Sequence, residues 1–503
     1  MIGMSFIRST PLWGGTLLAG LLMIACKTVD HRSDLQSADV AMERATGVKS
    51  AWVDLPDVKA FEPTPDKAVS LDTVVELALT NNRALRADLE VIGQAKADFV
   101  QAGLLSNPIL SIMGGFPEGG GRAKVAFGLS KDFADLWLIP SRKRAAQAMV
   151  QQRVLSFTDT AIALLNEAKA NYFGLQYQFV AADLQEQNLR ILQESMEIAQ
   201  ARFRAGDTTQ LDVNLIRARY VEAEVERLQL RSDYRVTQRT LLRLMGVSTG
   251  SDDWKPEPVR LDEPLQPIGV DESSLVEVAL LQRLDVQAAS WELESAVADF
   301  EQQRRRVIPS LTLGLSGERS ERRASPDRDI LADTARASVA SGKLTAPAIQ
   351  SRAERRKERR QEIDFVLGPS IDFPLPIFDQ NQAQIAKAQF RARELQQRYE
   401  EVEQRVVEGV RSAFTQRRLA EDRVRLYHDT LVPLQEANLA LSQTAYRSGR
   451  ESILTVLLAQ ESLIRTRLAY AAAVRDLAIS TATLERQLAG RLPEPDLTPP
   501  PTP

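Results

Sequence analysis

Residues 69–112 read VSLDTVVELALTNNRALRADLEVIGQAKADFVQAGLLSNPILSI, and residues 270–313 read VDESSLVEVALLQRLDVQAASWELESAVADFEQQRRRVIPSLTL. The two stretches align without a gap at an offset of 201. Matched pairs include Val75/Val276, Glu76/Glu277, Ala78/Ala279, Leu79/Leu280, Ala95/Ala296, Asp98/Asp299, Phe99/Phe300, Gln101/Gln302 and Pro108/Pro309. Further on, PheArgAlaGly at 203–206 returns as TyrArgSerGly at 446–449, with Leu211/Leu454 and Val213/Val456 following in step. The chain therefore reads as two copies of one module.

Working outward, Ser70 is placed to cap an amphipathic helix running to about Leu105, with Val74, Leu77, Ala78 and Leu85 among its apolar positions and Pro108 beyond its end. Over 109–116 and 125–133 the period changes to two, which predicts a hairpin. From Pro140 to about Ala205 a helical pattern runs without a further proline, about 65 residues or ~100 Å at 1.5 Å per residue. A turn at Gly206–Thr209 leads to a helix over about 210–245, closed by Gly246. The second copy repeats the order: helix over about 272–306, Pro309, strand, loop, strand, then long helices over 379–447 and 453–488.

The spans that follow are a signal segment 1–25, an extended segment 26–69, a first repeat 70–249, a linker 250–269, a second repeat 270–490 and a proline-rich tail 491–503. Two features break the symmetry. The second inter-strand loop, 317–362, is long and rich in arginine, and Pro433 stands where the first copy has Arg190, which predicts a kink.

The second-copy strands alternate cleanly. Leu311, Leu313 and Leu315 oppose Ser310, Thr312, Gly314 and Ser316, while Ile363, Phe365, Leu367, Ile371 and Phe373 oppose Asp364, Gly368, Ser370 and Asp372. Strands of about ten residues, apolar on one side and small or polar on the other, fit a lipid-facing barrel with a wet interior, or the edge of a soluble sandwich. Four strands cannot close a barrel, and an open edge in hydrocarbon leaves amides unpaired at several kcal/mol each. Other copies must complete it; two would give eight strands and three would give twelve.

Composition sets further bounds. Across 503 residues, 44% apolar, 26% charged and only 6% aromatic residues describe a helix-rich chain rather than a compact enzyme. The net charge of -4 argues against nucleic acid as the main ligand. The single cysteine, Cys26, excludes disulfides and follows Arg8, an apolar run over 17–24 and Ala25. This is the pattern of a bacterial lipoprotein signal, so Cys26 is the expected lipidation site and lipid an expected contact. Lys27 after it favours outer-membrane sorting. The two histidines, His31 and His428, have no metal-ligand spacing, and no nucleotide or hydrolase signature is present, so neither a cofactor, a bound metal nor an enzymatic activity is expected.

With these residues in view, the chain resembles the TolC-type outer-membrane efflux family over about 71–488. The marks are LeuAlaLeu at 77–79 and ValAlaLeu at 278–280, AsnPro at 107–108 and IlePro at 308–309, SerIleAspPheProLeuProIlePhe at 370–378, and TyrArgSerGly followed by LeuThrValLeu at 454–457. Its lipoprotein start is most similar to channels paired with RND-type metal or drug pumps.

The resemblance implies a mainly α homotrimer with a small β part, a twelve-stranded outer-membrane barrel of four strands per chain above a long periplasmic helical barrel. It implies a passive export duct that meets an inner-membrane pump through a periplasmic adaptor. On the matching positions, the adaptor-contact tips are Arg204, Gly206, Leu211, Arg447, Gly449 and Leu454. The candidate constriction is Asp212, with Thr455 at the second-copy position, a departure from a doubled acidic ring. Phe133, Trp137, Phe373 and Phe378 are the expected membrane-interface aromatics. Competing readings are a type I protein-secretion channel of the same fold and a periplasmic coiled-coil scaffold or adaptor.

Overall fold

The structure is a computed structural model describing residues 29–54, 61, 68–116, 123–247, 254–259, 271–321, 328–344, 363–448 and 450–490. The signal segment, Cys26, Gly449, the arginine run at 352–360 and the tail 491–503 lie outside the described residues. The elements in order are α1 (Arg32–Thr46), α2 (Leu71–Asn81), α3 (Arg83–Ala102), β1 (Ile109–Gly115), β2 (Lys124–Asp132), α4 (Asp135–Ala205) and α5 (Gln210–Leu244). There follow α6 (Glu272–Gln282), α7 (Leu284–Arg305), β3 (Thr312–Glu321), α8 (Arg328–Ser341), β4 (Ile363–Asp372) and α9 (Gln382–Leu426). A π-helical turn (Tyr427–Leu431) then leads into α10 (Val432–Arg447), and α11 (Ile453–Gln487) ends the series. The chain divides into two compact units: Met1–Phe99, Gln147–Glu294 and Glu394–Pro503 form one, and Val100–Ala146 with Ser295–Arg393 the other.

In the first unit α1, α2, α3 and α4 share a core containing Leu35, Met42, Ile92 and Phe157. Ser70 caps α2 as its sequence predicts, accepting the Thr73 amide at 3.2 Å. The single helix expected to reach Leu105 is instead broken at Asn82. The Asn82 side chain accepts the Leu85 amide at 3.1 Å, which starts α3, and donates to the Leu244 carbonyl at 2.9 Å, which finishes α5. The expected helix over 272–306 is broken likewise at Arg283, whose guanidinium holds Asp285 through two bonds of 2.9 and 2.6 Å. The Asn82 break depends on a partner 162 positions away, and periodicity alone shows neither break.

Part of the expected linker is firmly packed. Val69 and Pro256 form a parallel bridge, the Val69 amide donates to the Lys255 carbonyl at 2.8 Å, and Trp254 is buried beside Tyr172 and Leu241. The Tyr172 and Tyr234 hydroxyls donate to the Val69 and Trp254 carbonyls at 2.8 and 3.0 Å. Burial pushes both phenols up to about 12.

The second unit holds a four-stranded antiparallel meander in the order β1-β2-β3-β4. Its register aligns Phe127 with Gly317 and Leu367, and Leu129 with Leu315 and Pro369, so these stand on one face with Leu110, Ile112, Leu313, Phe365 and Ile371. Each large apolar side chain of that face is exposed, Ile112 at 74% and Ile371 at 71%. The other face carries mostly small or polar residues, Ser111, Gly128, Ser130, Gly314, Ser316 and Ser370 among them, with a Lys124–Glu318 ion pair at 3.2 Å; Ile109, Met113 and Val366 are its large apolar exceptions. Gly317 leaves room for the Phe127 ring, which a Cβ there would approach to 2.5 Å. Among the described residues both outer strands, β1 and β4, have an unpaired edge.

The long helix α4 starts at Asp135 rather than at Pro140, which falls in its second turn. The expected loop 317–362 is shorter, because β3 continues to Glu321 and α8 occupies 328–341. Among the described residues no helix is long and apolar enough to cross a membrane.

Candidate functional site

The two helix turns marked by the repeated RGlike motif are built from backbone chemistry. At the end of α4, Gly206 has φ +83°, its amide donates to the Phe203 carbonyl at 3.0 Å, and the Asp207 amide reaches back to the Arg202 carbonyl at 2.9 Å. This closes the last turn as a Schellman motif, and only glycine takes that φ without strain. At the end of α10 the Arg450 amide makes the same backward bond to the Ala445 carbonyl, 2.9 Å. Arg204 and Arg447 are exposed, and Arg204 turns back on the Gln200 carbonyl at 3.4 Å. Leu211 and Leu454, one residue inside α5 and α11, are 65% and 43% exposed. Both turns thus present a leucine and an arginine to their surroundings.

Asp212 closes a capping box at the start of α5. Its amide donates to the Thr209 hydroxyl at 3.2 Å, and its carboxylate accepts the Thr209 hydroxyl at 2.7 Å, the Thr208 hydroxyl at 2.8 Å and the Thr209 amide at 3.1 Å. These bonds, from the Thr209 hydroxyl first and Thr208 next, hold its pKa below the usual carboxylate range. At the second turn Thr455 bonds the Glu451 carboxylate at 3.0 Å, and Ser452 caps α11 with no side-chain bond. The two starts are therefore not equivalent.

Sequence reading missed the residues that join the turns. The Arg202 guanidinium bonds the Tyr446 hydroxyl and lies 4.7 Å from the centre of its ring. The signal present was the exchange of Phe203 for Tyr446 between the copies, which supplies a hydroxyl on one side only. Nearby, Arg219 bridges Glu222 at 2.9 Å and Glu461 at 3.3 Å, tying α5 to α11. Leu192, Leu215, Leu454 and Leu458 line a groove of about 220 Å³ between α4, α5 and α11, whose floor includes the buried Gln185 and Gln460.

The aromatic candidates gather at one end of the sheet. Asp132, Thr312 and Asp372 share one row of the register, and Phe133 and Phe373 immediately follow β2 and β4 there. Phe133 and Trp137 are half-buried, whereas Phe373 is exposed and Phe378 is 91% exposed. The same rim is tied down by Asp135, which accepts the Ser106 amide at 2.6 Å and pairs with Arg142. Burial raises the Asp135 pKa, but the Ser106 and Arg142 bonds outweigh it and leave it below the usual range. Among the described residues there is no group of three or more metal-ligating side chains.

With this geometry in place, likeness to known proteins is specific. The model of the outer membrane efflux protein family matches residues 74–247 and 275–490. Nodulation protein T of Rhizobium leguminosarum bv. trifolii is 22% identical over 437 residues, covering 82% of this chain and 84% of that protein. The cation efflux system protein CusC of an Escherichia coli O6:H1 strain is 24% identical over 427 residues, covering 82% and 85%. Among solved structures, CusC superposes with a TM-score of 0.64 at 18% identity, covering 86% of this chain and 98% of that one. The open state of the Neisseria gonorrhoeae MtrE outer membrane channel gives 0.62 at 18% identity, covering 88% and 98%. With two matched segments that fall one in each sequence copy and together span most of its length, the chain belongs to the outer membrane efflux protein family.

Proposed function

We propose that three copies of this chain form one passive export duct, each giving four strands to a twelve-stranded barrel and its long helices to a periplasmic tunnel. The observation that carries this is the sheet in the second unit: an apolar face standing exposed on every strand, an opposite face mostly of small or polar residues, and two edges unpaired among the described residues. In hydrocarbon only a closed barrel satisfies those edges, and four antiparallel strands per chain let each copy continue the meander of the last. The duplicated sequence supports a tunnel wall of two similar helical pairs per chain.

The turns at Arg204, Gly206 and Leu211 and at Arg447, Gly449 and Leu454 form the contact surface for a periplasmic adaptor, which connects the duct to an inner-membrane pump of the RND type. Asp212 from three chains lines the narrow end, with Thr455 replacing the second carboxylate. Phe133, Trp137, Phe373 and Phe378 sit at the membrane boundary, and an acylated Cys26 adds an anchor. The cargo is small molecules or metal ions; the name of CusC gives cations for that protein.

The test is single-channel conductance of the detergent-purified mature protein in planar bilayers, with its mass in the same detergent. Trimers with ohmic openings are expected. A water-soluble, non-conducting monomer overturns the barrel.

A further inference from the structure

We propose that the groove between α4, α5 and α11 is a binding site for a small uncharged molecule that carries a carboxamide on an apolar body. The site stands apart from the duct reading, since every group in it belongs to the first unit.

Its floor holds two side-chain amides that are buried and incompletely bonded. Gln185 on α4 is fully buried, and Gln460 on α11 is 6% exposed. Gln185 Nε2 donates to the Ala223 carbonyl of α5 at 2.9 Å, and this fixes the orientation of the amide, because turning it over would set oxygen against oxygen. Its Oε1 is thereby committed as an acceptor, and among the described residues it has no partner. Gln460 Nε2, a donor, has none there either. A buried acceptor and a buried donor left unbonded both work against the fold. Together they call for a guest with the reverse pair: an N–H for Gln185 and a carbonyl for Gln460.

The walls describe the rest of the guest. Leu192, Leu215, Leu457, Leu458, Ile464 and Leu468 surround the two amides in a space of about 220 Å³. Apolar walls with a few placed polar groups are the usual make-up of a small-molecule site. At the rim Arg219 pairs with Glu222 at 2.9 Å and with Glu461 at 3.3 Å, Arg465 pairs with Glu461 at 2.5 Å, and Glu226 stands exposed beside them. Both arginines are engaged, so the rim offers an anion nothing and the guest is uncharged.

An internal comparison sets the amides apart from ordinary packing. In the register that pairs Arg190 with Pro433 and Leu211 with Leu454, Gln185 aligns with His428 and Gln460 with Arg217, and both of these are exposed. The repeated module does not require an amide at either place.

Ligand-observed NMR titration of the mature protein in deuterated detergent tests this with three matched probes: acetanilide, N-methylacetanilide, which lacks the N–H, and N-ethylaniline, which lacks the carbonyl. Acetanilide should bind about 10-fold tighter than either of the others. Gln185→Leu should bring acetanilide and N-methylacetanilide within about 2-fold, and Gln460→Leu should do the same for acetanilide and N-ethylaniline. Leu458→Trp, at the exposed lip, fills the groove without touching either amide and should abolish binding of all three, which keeps the test decisive if a glutamine variant fails to fold. No binding of acetanilide, equal affinity for the three probes, or binding undiminished in Leu458→Trp overturns the site. The expected preference in a protein that forms no conducting trimer supports the site and overturns the duct reading; conducting trimers that bind no acetanilide do the reverse.

Discussion

At the scale of single residues, the informative groups are those whose environment works against them. Asp159, on α4, has its pKa raised first by burial and next by the Asp285 carboxylate, with Arg283 and Arg486 pulling the other way. A carboxyl whose folded pKa lies above its unfolded one costs stability when ionised, and that cost appears as pH rises from the unfolded value through the folded one. Asp159→Asn is therefore expected to raise the unfolding midpoint at pH 7 and to lose that advantage below pH ~4, where the natural carboxyl is protonated in both states. Denaturation curves at the two pH values check this; an advantage independent of pH would contradict it. Asp212 is the opposite case, lowered by its cap bonds and stabilising above the unfolded pKa until pH falls through its folded one. The sequence offered Asp212 as a constriction, and the geometry shows it besides in a capping box: Thr208 and Thr209 lie within reach in the chain, so this local bonding is the kind of feature a short stretch of sequence can carry. Arg202 and Tyr446 are 244 positions apart, and no local pattern joins them.

At the scale of elements, alternation of two placed the strands to within a few residues, because one face of each is apolar and the pleat admits one reading. Helix interiors were equally legible, but their breaks were not. Asn82 is tolerated in a helix, and it ends α2 only because the Leu244 carbonyl and the Leu85 amide are both there to bond it. Gly246 completes the same junction: it has φ +66°, and a Cβ on it would stand 2.3 Å from the Asn81 carbonyl oxygen. A neighbouring backbone cannot swing aside as a side chain can. Gly246→Ala is expected to cost about 2–4 kcal/mol, strain and clash together. Gly206→Ala, with φ +83° but open space around it, is expected to cost about 1 kcal/mol from backbone strain alone. Urea denaturation of both variants in detergent compares them, and equal losses would show that the close approach to Asn81 does not matter. Pro433 announced a kink in the sequence, and the π-turn is the form it took.

At the scale of the whole molecule, the sequence carried the class of protein because duplication, strand parity and open edges are properties of order along the chain. What it did not carry was which parts of the linker pack: four prolines suggest a spacer, yet Trp254 is buried and Val69 is bridged to Pro256. The sheet has a consequence before any duct exists. Between secretion and insertion, a single chain presents an oily surface flanked by two strands with free amides and carbonyls, the combination that templates aggregation. Diluting unfolded chains into buffer without detergent or lipid is accordingly expected to give sedimenting, thioflavin-positive material, whereas dilution into micelles gives discrete oligomers; a clear, monodisperse monomer in buffer would count against this. A newly exported chain is thus expected to survive only if its oily face is shielded until insertion, so that the time spent between export and insertion, as much as its own folding, limits its yield.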